Sequence, residues 1–349
     1  MAARFREIGC DVRLDRAGNV ISYLHPVRES PCVALTAHLD TVLEPRRPED
    51  VTVGGDGKFH GPGVADNGAG LAALLAVAQA IHSTSLSSLY CTFVFIANVG
   101  EEGEGNLSGM RYICRAGGLS TRIASFVVLD GPNLDHITSR ALASRRFEIT
   151  LTGPGGHSWS DYGTVNPIHA LSRCITSFSD LPLLAAPGPR SSFNFGFVEA
   201  GTSVNAIPAV ARAKLDLRSE DTGRLDELVA SLTPVVERAL EAENLRASSG
   251  RIAAKIREIG SRPGGKLDDS ALILAHVRAV DAYLKIRSQL DCASTDANIP
   301  LSLGMQAVSV GAGGRGGGAH TPEEWYNPEG RELGLQRILL TLCLLSGLG

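Results

Sequence analysis

Apolar residues along this chain gather into four unbroken runs, and each run ends in polar or glycine residues that do not belong in a core. The runs are VALTAHLD (33–40), LYCTFVFIANVGEEGEG (89–105), ASFVVLDGPN (124–133) and MQAVSVGAGG (305–314). Absence of alternation predicts strands buried on both faces, as inside the sheet of an α/β protein. Between the first two runs, the turn-rich GGDGKFHGPGVADNGAG leads into LAALLAVAQAIH, whose apolar spacing predicts a buried helix. Residues 2–9 predict the end of a helix closed by Gly9, and residues 18–24 an opening strand.

From about residue 138 the pattern changes. ALASRRFEITLTG, SSFNFGFVEAG, AIPAVARAKLDLRSE and GRIAAKIREIG read as strands, and IHALSRCITSF and TGRLDELVASLTPVVERALEAEN as helices. Their β-α-β-β-α-β order packs most simply as a four-stranded antiparallel sheet with two helices on one face, a ferredoxin-like α+β domain. Helical spacing resumes in DDSALILAHVRAVDAYL, and the MQAVSVGAGG strand returns to the first sheet. The expected organisation is an α/β domain with a mixed central sheet, residues 1–137 and 263–349, interrupted by the ferredoxin-like domain at 138–262. Pro, Gly and polar residues near 135–140 and 260–266 mark the expected hinges.

Composition narrows the partners. With 349 residues and 44% hydrophobic content the chain can bury two cores. A net charge of −4 and a pI near 6.2, with no basic run, argue against a nucleic-acid partner. No apolar stretch reaches the ~18 residues of a membrane span, and the N-terminus lacks a secretory signal, so no membrane partner and a cytoplasmic location are expected. Seven scattered cysteines without C-x-x-C spacing read as reduced core residues, not as a disulfide framework or a cysteine zinc site.

The residues at the strand ends carry the chemistry. His38 and Asp40 fall on one face where the first run stops. Asp66 precedes the helix, a place where an acid is also a common cap. Glu101 and Glu102 are adjacent carboxylates that need solvent or a cation. Asp130 follows the third run, and His320 sits in the glycine loop after the fourth. Ligands of an open α/β sheet bind beyond the carboxyl ends of its strands, so these residues should converge. His38, Asp66, Glu102, Asp130 and His320 offer two imidazoles and three carboxylates, a set that suits zinc. One shared carboxylate would allow a pair of ions about 3.5–4 Å apart, which acidify a bridging water and polarise a carbonyl. Glu101, beside Glu102, is the candidate general base for the resulting hydroxide attack. Neither a dinucleotide fingerprint nor a phosphate loop is present.

AHLDTV, GPGVADNGAGLAALL, ANVGEEGEG, VVLDG, GGHS, SVNAIPAVARAKLDLR, STDANIP and GGAHTPEEW occur in this order across nearly the whole chain. Together they resemble the co-catalytic zinc exopeptidase and deacylase family, which includes aminoacylase, acetylornithine deacetylase, succinyl-diaminopimelate desuccinylase, carboxypeptidase G and peptidase T. The resemblance implies a zinc-exopeptidase-type catalytic domain and makes the inserted domain a lid that also forms a homodimer. It implies two zinc ions, with cobalt or manganese able to replace them. His38 and Asp130 would hold one ion, Glu102 and His320 the other, and Asp66 would bridge them. By the same resemblance Asp40 would support His38, Glu101 would be the base, and a cis peptide would join Asp66 to Asn67. His157 in GGHS would reach a partner subunit's site and stabilise an oxyanion, and Asn205 and Arg218 would grip the substrate backbone and carboxylate. Family members carry several tens of further residues before the His38 strand, so this chain is expected to be short at its front. The expected substrate is a small peptide, cut in di- or tripeptide aminopeptidase fashion. Asp at position 130 favours that branch, and an N-acyl amino acid deacylase is the alternative.

Overall fold

The computed structural model describes residues 1–24, 31–43, 47–84 and 92–347. Cys91 lies outside them. The chain divides into two compact units, one of residues 1–141 and 265–349, the other of residues 142–264.

The first unit is built on a nine-stranded mixed sheet. At its centre Thr92–Asn98, Cys32–His38, Ile123–Leu129 and Gln306–Val310 lie side by side and parallel. The first two are buried at every position, which explains their unbroken apolar sequence: both faces are covered, so no alternation survives. Helix Gly68–Ser83 packs on three of these strands and on helix Arg331–Leu345. The short Ala2–Ile8 helix buries Phe5 against Phe95, ring centroids 6.3 Å apart. All four parallel strands run the same way, so His38, Glu101, Glu102 and Asp130 leave the sheet at one edge.

Strand His136–Ala141 pairs with Gln306–Val310 and with Gln289–Ala293, so it belongs to this sheet. The second unit therefore starts at Leu142, a few residues beyond the change in sequence texture.

A second, smaller sheet in the first unit joins Arg315–Gly317, Trp325–Asn327, Phe59–His60 and Thr52–Val53. It ties the loop bearing His320 to the turn that leads into Asp66. Close approach is possible because residue 316 is glycine: a Cβ there would lie 2.8 Å from Ala65 Cβ and from Pro132 Cγ.

The second unit is a four-stranded antiparallel sheet, ordered Ser191–Ala200, Val210–Ser219, Ala143–Thr152, Ala253–Arg262. Helices Pro167–Ser179 and Thr222–Arg246 pack on one another and on this sheet. Asn166 caps the first helix by accepting the Ile168 N–H at 2.9 Å, and Asp221 caps the second from Arg224 at 2.8 Å. Phe147, Ile149 and Leu151 alternate inward beside Ala211, Ala213, Leu215 and Leu217. The intervening residues, Glu148, Thr150, Arg212, Lys214 and Asp216, are polar and mostly charged, as a sheet with one open face requires.

Among the described residues no helix is long and apolar enough to cross a membrane.

Candidate metal centre

His38 ends its strand with a side chain only 1% exposed. Its Nδ1 lies 3.0 Å from the main-chain carbonyl of Asp40, which makes that nitrogen the donor and turns Nε2 toward the site. There Nε2 is 3.0 Å from Asp66 Oδ1. The Asp40 carboxylate, expected beside this imidazole, stands 4.0 Å from Nδ1. It accepts instead the main-chain N–H groups of Glu101 at 3.0 Å and Glu102 at 2.8 Å. Two convergent amides satisfy an anion better than one ring N–H, and the peptide carbonyl is left to orient the ring.

Asp66 does not cap the helix after it; Asn67 occupies that position, and its side chain donates to Leu129 O at 2.8 Å. The Asp66–Asn67 peptide is cis. Freed from capping, the Asp66 carboxylate stands between two imidazoles. Oδ1 faces His38, and Oδ2 is 3.2 Å from His320 Nε2. His320 Nε2 is also 2.9 Å from Glu102 Oε1.

Two ligand sets follow from this arrangement. Donor atoms of His38, Asp66 and Asp130 lie within 4.8 Å of one another, and so do those of Asp66, Glu102 and His320. Asp66 is common to both. Glu101, 4% exposed, joins a third such group with His38 and Glu102.

Electrostatics agree with the donor chemistry. Burial, reinforced by Asp66, holds the Asp130 carboxyl well above the usual carboxylate range. Burial and the neighbouring Glu101 and Asp66 charges push Glu102 up to about 7. Burial works against charge on His38, but its hydrogen bond to Asp66 and the nearby Asp130 and Glu101 outweigh it and raise the imidazole. The Asp66 hydrogen bond raises His320 to about 9. Asp66 is depressed because its bonds to His320 and His38 overcome its burial. Acids that must hold protons or share them with imidazolium form a set that divalent cations would satisfy better. With two imidazole nitrogens and three carboxylates at contact range, the residues fit a pair of such ions.

The remaining expected residues lie in the second unit. His157 belongs to a two-strand ribbon, Gly156–His157 against Ala206–Ile207. Its Nδ1 accepts the main-chain N–H groups of Trp159 at 3.2 Å and Ser160 at 3.3 Å, so the ring proton sits on Nε2. Asn205 is its neighbour: the Asn205 carbonyl accepts Ser158 N–H at 2.9 Å. Arg218 is elsewhere. In register with Ser144 and Ser192, it donates from Nε to Asp216 at 2.6 Å. Val210, toward the ribbon, is opposite Thr152, and the intervening strand at about 3.3 Å per residue separates the two ends by roughly 26 Å. Asn205 and Arg218 are thus not brought together within the unit.

Three features were given no such part by the sequence, although Asp296 and Glu324 stand in its STDANIP and GGAHTPEEW segments. Asp40 caps the Glu101–Glu102 backbone, Glu324 is buried beside the Asp66 turn, and a fully buried Asp296 accepts Asn98 Nδ2 at 2.6 Å. Burial together with the Glu101 charge pushes Asp296 up to about 7.

The profile of peptidase family M20/M25/M40 matches residues 34–342. A succinyl-diaminopimelate desuccinylase of Methylobacterium sp. is 27% identical over 216 residues, 58% of this chain and 54% of that enzyme, so the match spans about half the relative's length. Among solved structures, a tripeptidase of Staphylococcus aureus superposes with a TM-score of 0.77 at 21% identity, covering 99% of this chain and 91% of that one. The YXEP protein of Bacillus subtilis, described as a dinuclear metal binding peptidase, superposes at 0.67 with 17% identity, covering 99% and 91%.

Proposed function

This chain belongs to peptidase family M20/M25/M40, hydrolases of C–N bonds, and on that premise we propose that it is a two-metal exopeptidase. Its substrates are small peptides, cut at the bond next to a terminal amino acid. The observation that carries this reading is Asp66, whose two carboxylate oxygens face two different histidines.

His38, Asp66 and Asp130 would hold one ion, and Asp66, Glu102 and His320 the other, with zinc favoured by the mixed nitrogen and oxygen donors and cobalt or manganese suited to the same set. When bound, such ions supply polarisation of the substrate carbonyl and acidification of a water. Glu101 takes the proton of the attacking water and delivers it to the leaving nitrogen. Asp40 holds the Glu101 and Glu102 main chain for that task. His157, with its proton on Nε2, donates to the oxyanion that develops on the substrate. Arg218 binds a free substrate carboxylate, and Asn205 the substrate backbone.

Arg218 lies at the end of its sheet where the chain enters and leaves the unit, while His157 and Asn205 lie at the opposite end. That separation is in keeping with a homodimer in which His157 serves the partner's site. The described cysteines are all free thiols, in keeping with a cytoplasmic location.

A second reading, N-acyl amino acid deacylase, is favoured by the likeness to the desuccinylase. A panel of di- and tripeptides and N-acyl amino acids, assayed before and after chelation, separates the two. We expect about two metal ions per chain, loss of cleavage to background on chelation and recovery with zinc, cobalt or manganese. Cleavage of free-amine peptides supports the peptidase, and cleavage confined to acylated amino acids moves the assignment to the deacylases. A folded protein with neither metal nor turnover defeats both.

A further inference from the structure

Glu324 has no part in the chemistry above, yet it is only 1% exposed. A carboxylate leaves water at high cost unless hydrogen bonds replace its hydration. Here the replacements all come from one turn. Oε2 accepts the N–H of Gly63 at 2.7 Å, and Oε1 accepts those of Ala65 and Asp66, each at 2.8 Å. The main-chain carbonyl of Glu324 takes a fourth, from Gly61, at 2.8 Å. This turn is the one that delivers Asp66.

At its other end Glu324 belongs to the loop of His320. Its N–H donates to Thr321 O at 3.3 Å, and Thr321 N–H donates to Gly318 O at 3.1 Å, which winds the loop into a compact turn around His320. The residue is therefore a strut between two loops, each carrying one candidate ligand. His320 needs such a strut more than His38 does. Its side chain is 52% exposed against 1%, and its backbone sits in the left-handed region at φ 67°. His38 is fixed by a seven-residue buried strand; His320 is fixed by its loop alone.

We propose that Glu324 is a positioning residue that sets the affinity of the ion held by Asp66, Glu102 and His320, by fixing the Asp66 and His320 loops against each other before any ion arrives. The inference rests on the two-ion reading given above. Charge is part of the effect, because neutral Gln at this position would present an amide N–H to one of the three backbone donors.

The test is a zinc titration with chelator competition on the full chain, comparing wild type, E324Q, H320A and the double variant. In E324Q the zinc affinity that H320A abolishes should fall about 10- to 100-fold, and the other, which shares Asp66, by less; in the H320A background E324Q should add only that smaller loss. Amide exchange on the unmutated, metal-free chain gives an independent readout. Gly63, Ala65 and Asp66 amides should already be protected there; amides that exchange freely until zinc is added would overturn the proposal. Should E324Q fail to fold, that exchange measurement decides alone. Two zinc affinities unchanged in E324Q would also overturn it, and would leave the two-ion reading intact. A wild type that binds no divalent ion would remove both.

Discussion

The two units handle their polar candidates in opposite ways. In the first, His38, Glu101, Asp296 and Glu324 are buried, and the acids around Asp66 crowd one another at contact distance. In the second, His157 and Asn205 are exposed, Arg218 is half-buried against Asp216, and the three divide between the two ends of a sheet. A crowded set is defined by strand ends and backbone amides, so its chemistry can be read from one unit. A dispersed set acquires meaning only from what it meets. The difference teaches that the metal-binding set is held by strand ends and backbone amides of its own unit, whereas the polar candidates of the second unit are not brought together within it.

The sharpest way to break that contrast is to remove function from the crowded set without disturbing its metals. Glu101→Gln should lower kcat by about 10²–10⁴-fold while metal content stays at two per chain, because the base acts on protons and not as a ligand. Loss of metal in that variant would make Glu101 a ligand and unsettle the assignment. Next in size is His157→Ala, where loss of an oxyanion donor should cost about 10²–10³-fold in kcat. Mixing it with Glu101→Gln is the informative step. If His157 serves the partner, mixed dimers contain one site with both residues intact, and activity should reappear; additive inactivity would return His157 to its own subunit. Arg218→Gln should act on KM instead, raising it roughly 10- to 100-fold for substrates with a free carboxylate and leaving carboxamide substrates unchanged.

How far the sequence disclosed this arrangement depended on the length of the element carrying each residue. Seven-residue buried strands announce themselves, so the apolar runs alone place His38, Glu101, Glu102 and Asp130 at one sheet edge. The second unit was legible for a complementary reason: one open face preserves alternation in strands such as Ala143–Thr152. The small sheet of Thr52–Val53, Phe59–His60, Arg315–Gly317 and Trp325–Asn327 was not, since two or three residues carry no period. Glu324 and the tie between the His320 and Asp66 loops were hidden with it. Strand His136–Ala141, short and mixed in character, also gave no signal, which put the domain change a few residues early. Asn205 and Arg218 were paired by the resemblance alone, and the extended strand between them keeps them at opposite ends of the second unit's sheet.

The smallest predicted effect concerns protons in the crowded set. In the metal-free protein the Asp66 hydrogen bond and the Glu102 charge lift His320 from an ordinary 6.5 to about 9. Burial, Glu101 and Asp66 lift Glu102 from 4.5 to about 7. Both groups hold protons in the folded state that the unfolded chain would release, so stability falls as pH rises. His320 contributes fully below about 6.5, and its contribution is lost through about 9. Glu102 becomes unfavourable as pH climbs from about 4.5 through 7. Asp66 has the opposite sign, because its folded value is depressed, but its loss falls below the ordinary 3.8 and outside this window. The metal-free Tm should therefore decline between pH 5 and 9, on the order of a few degrees, as the proton linkage predicts. Divalent ions replace those protons and should flatten the decline, so the gap in Tm between loaded and metal-free protein should widen with pH. Thermal melts at matched ionic strength, with and without zinc, measure that gap. A gap that narrows toward pH 9 would mean that these acids and histidines do not exchange protons for metal, and the contrast between the two units would lose its physical basis.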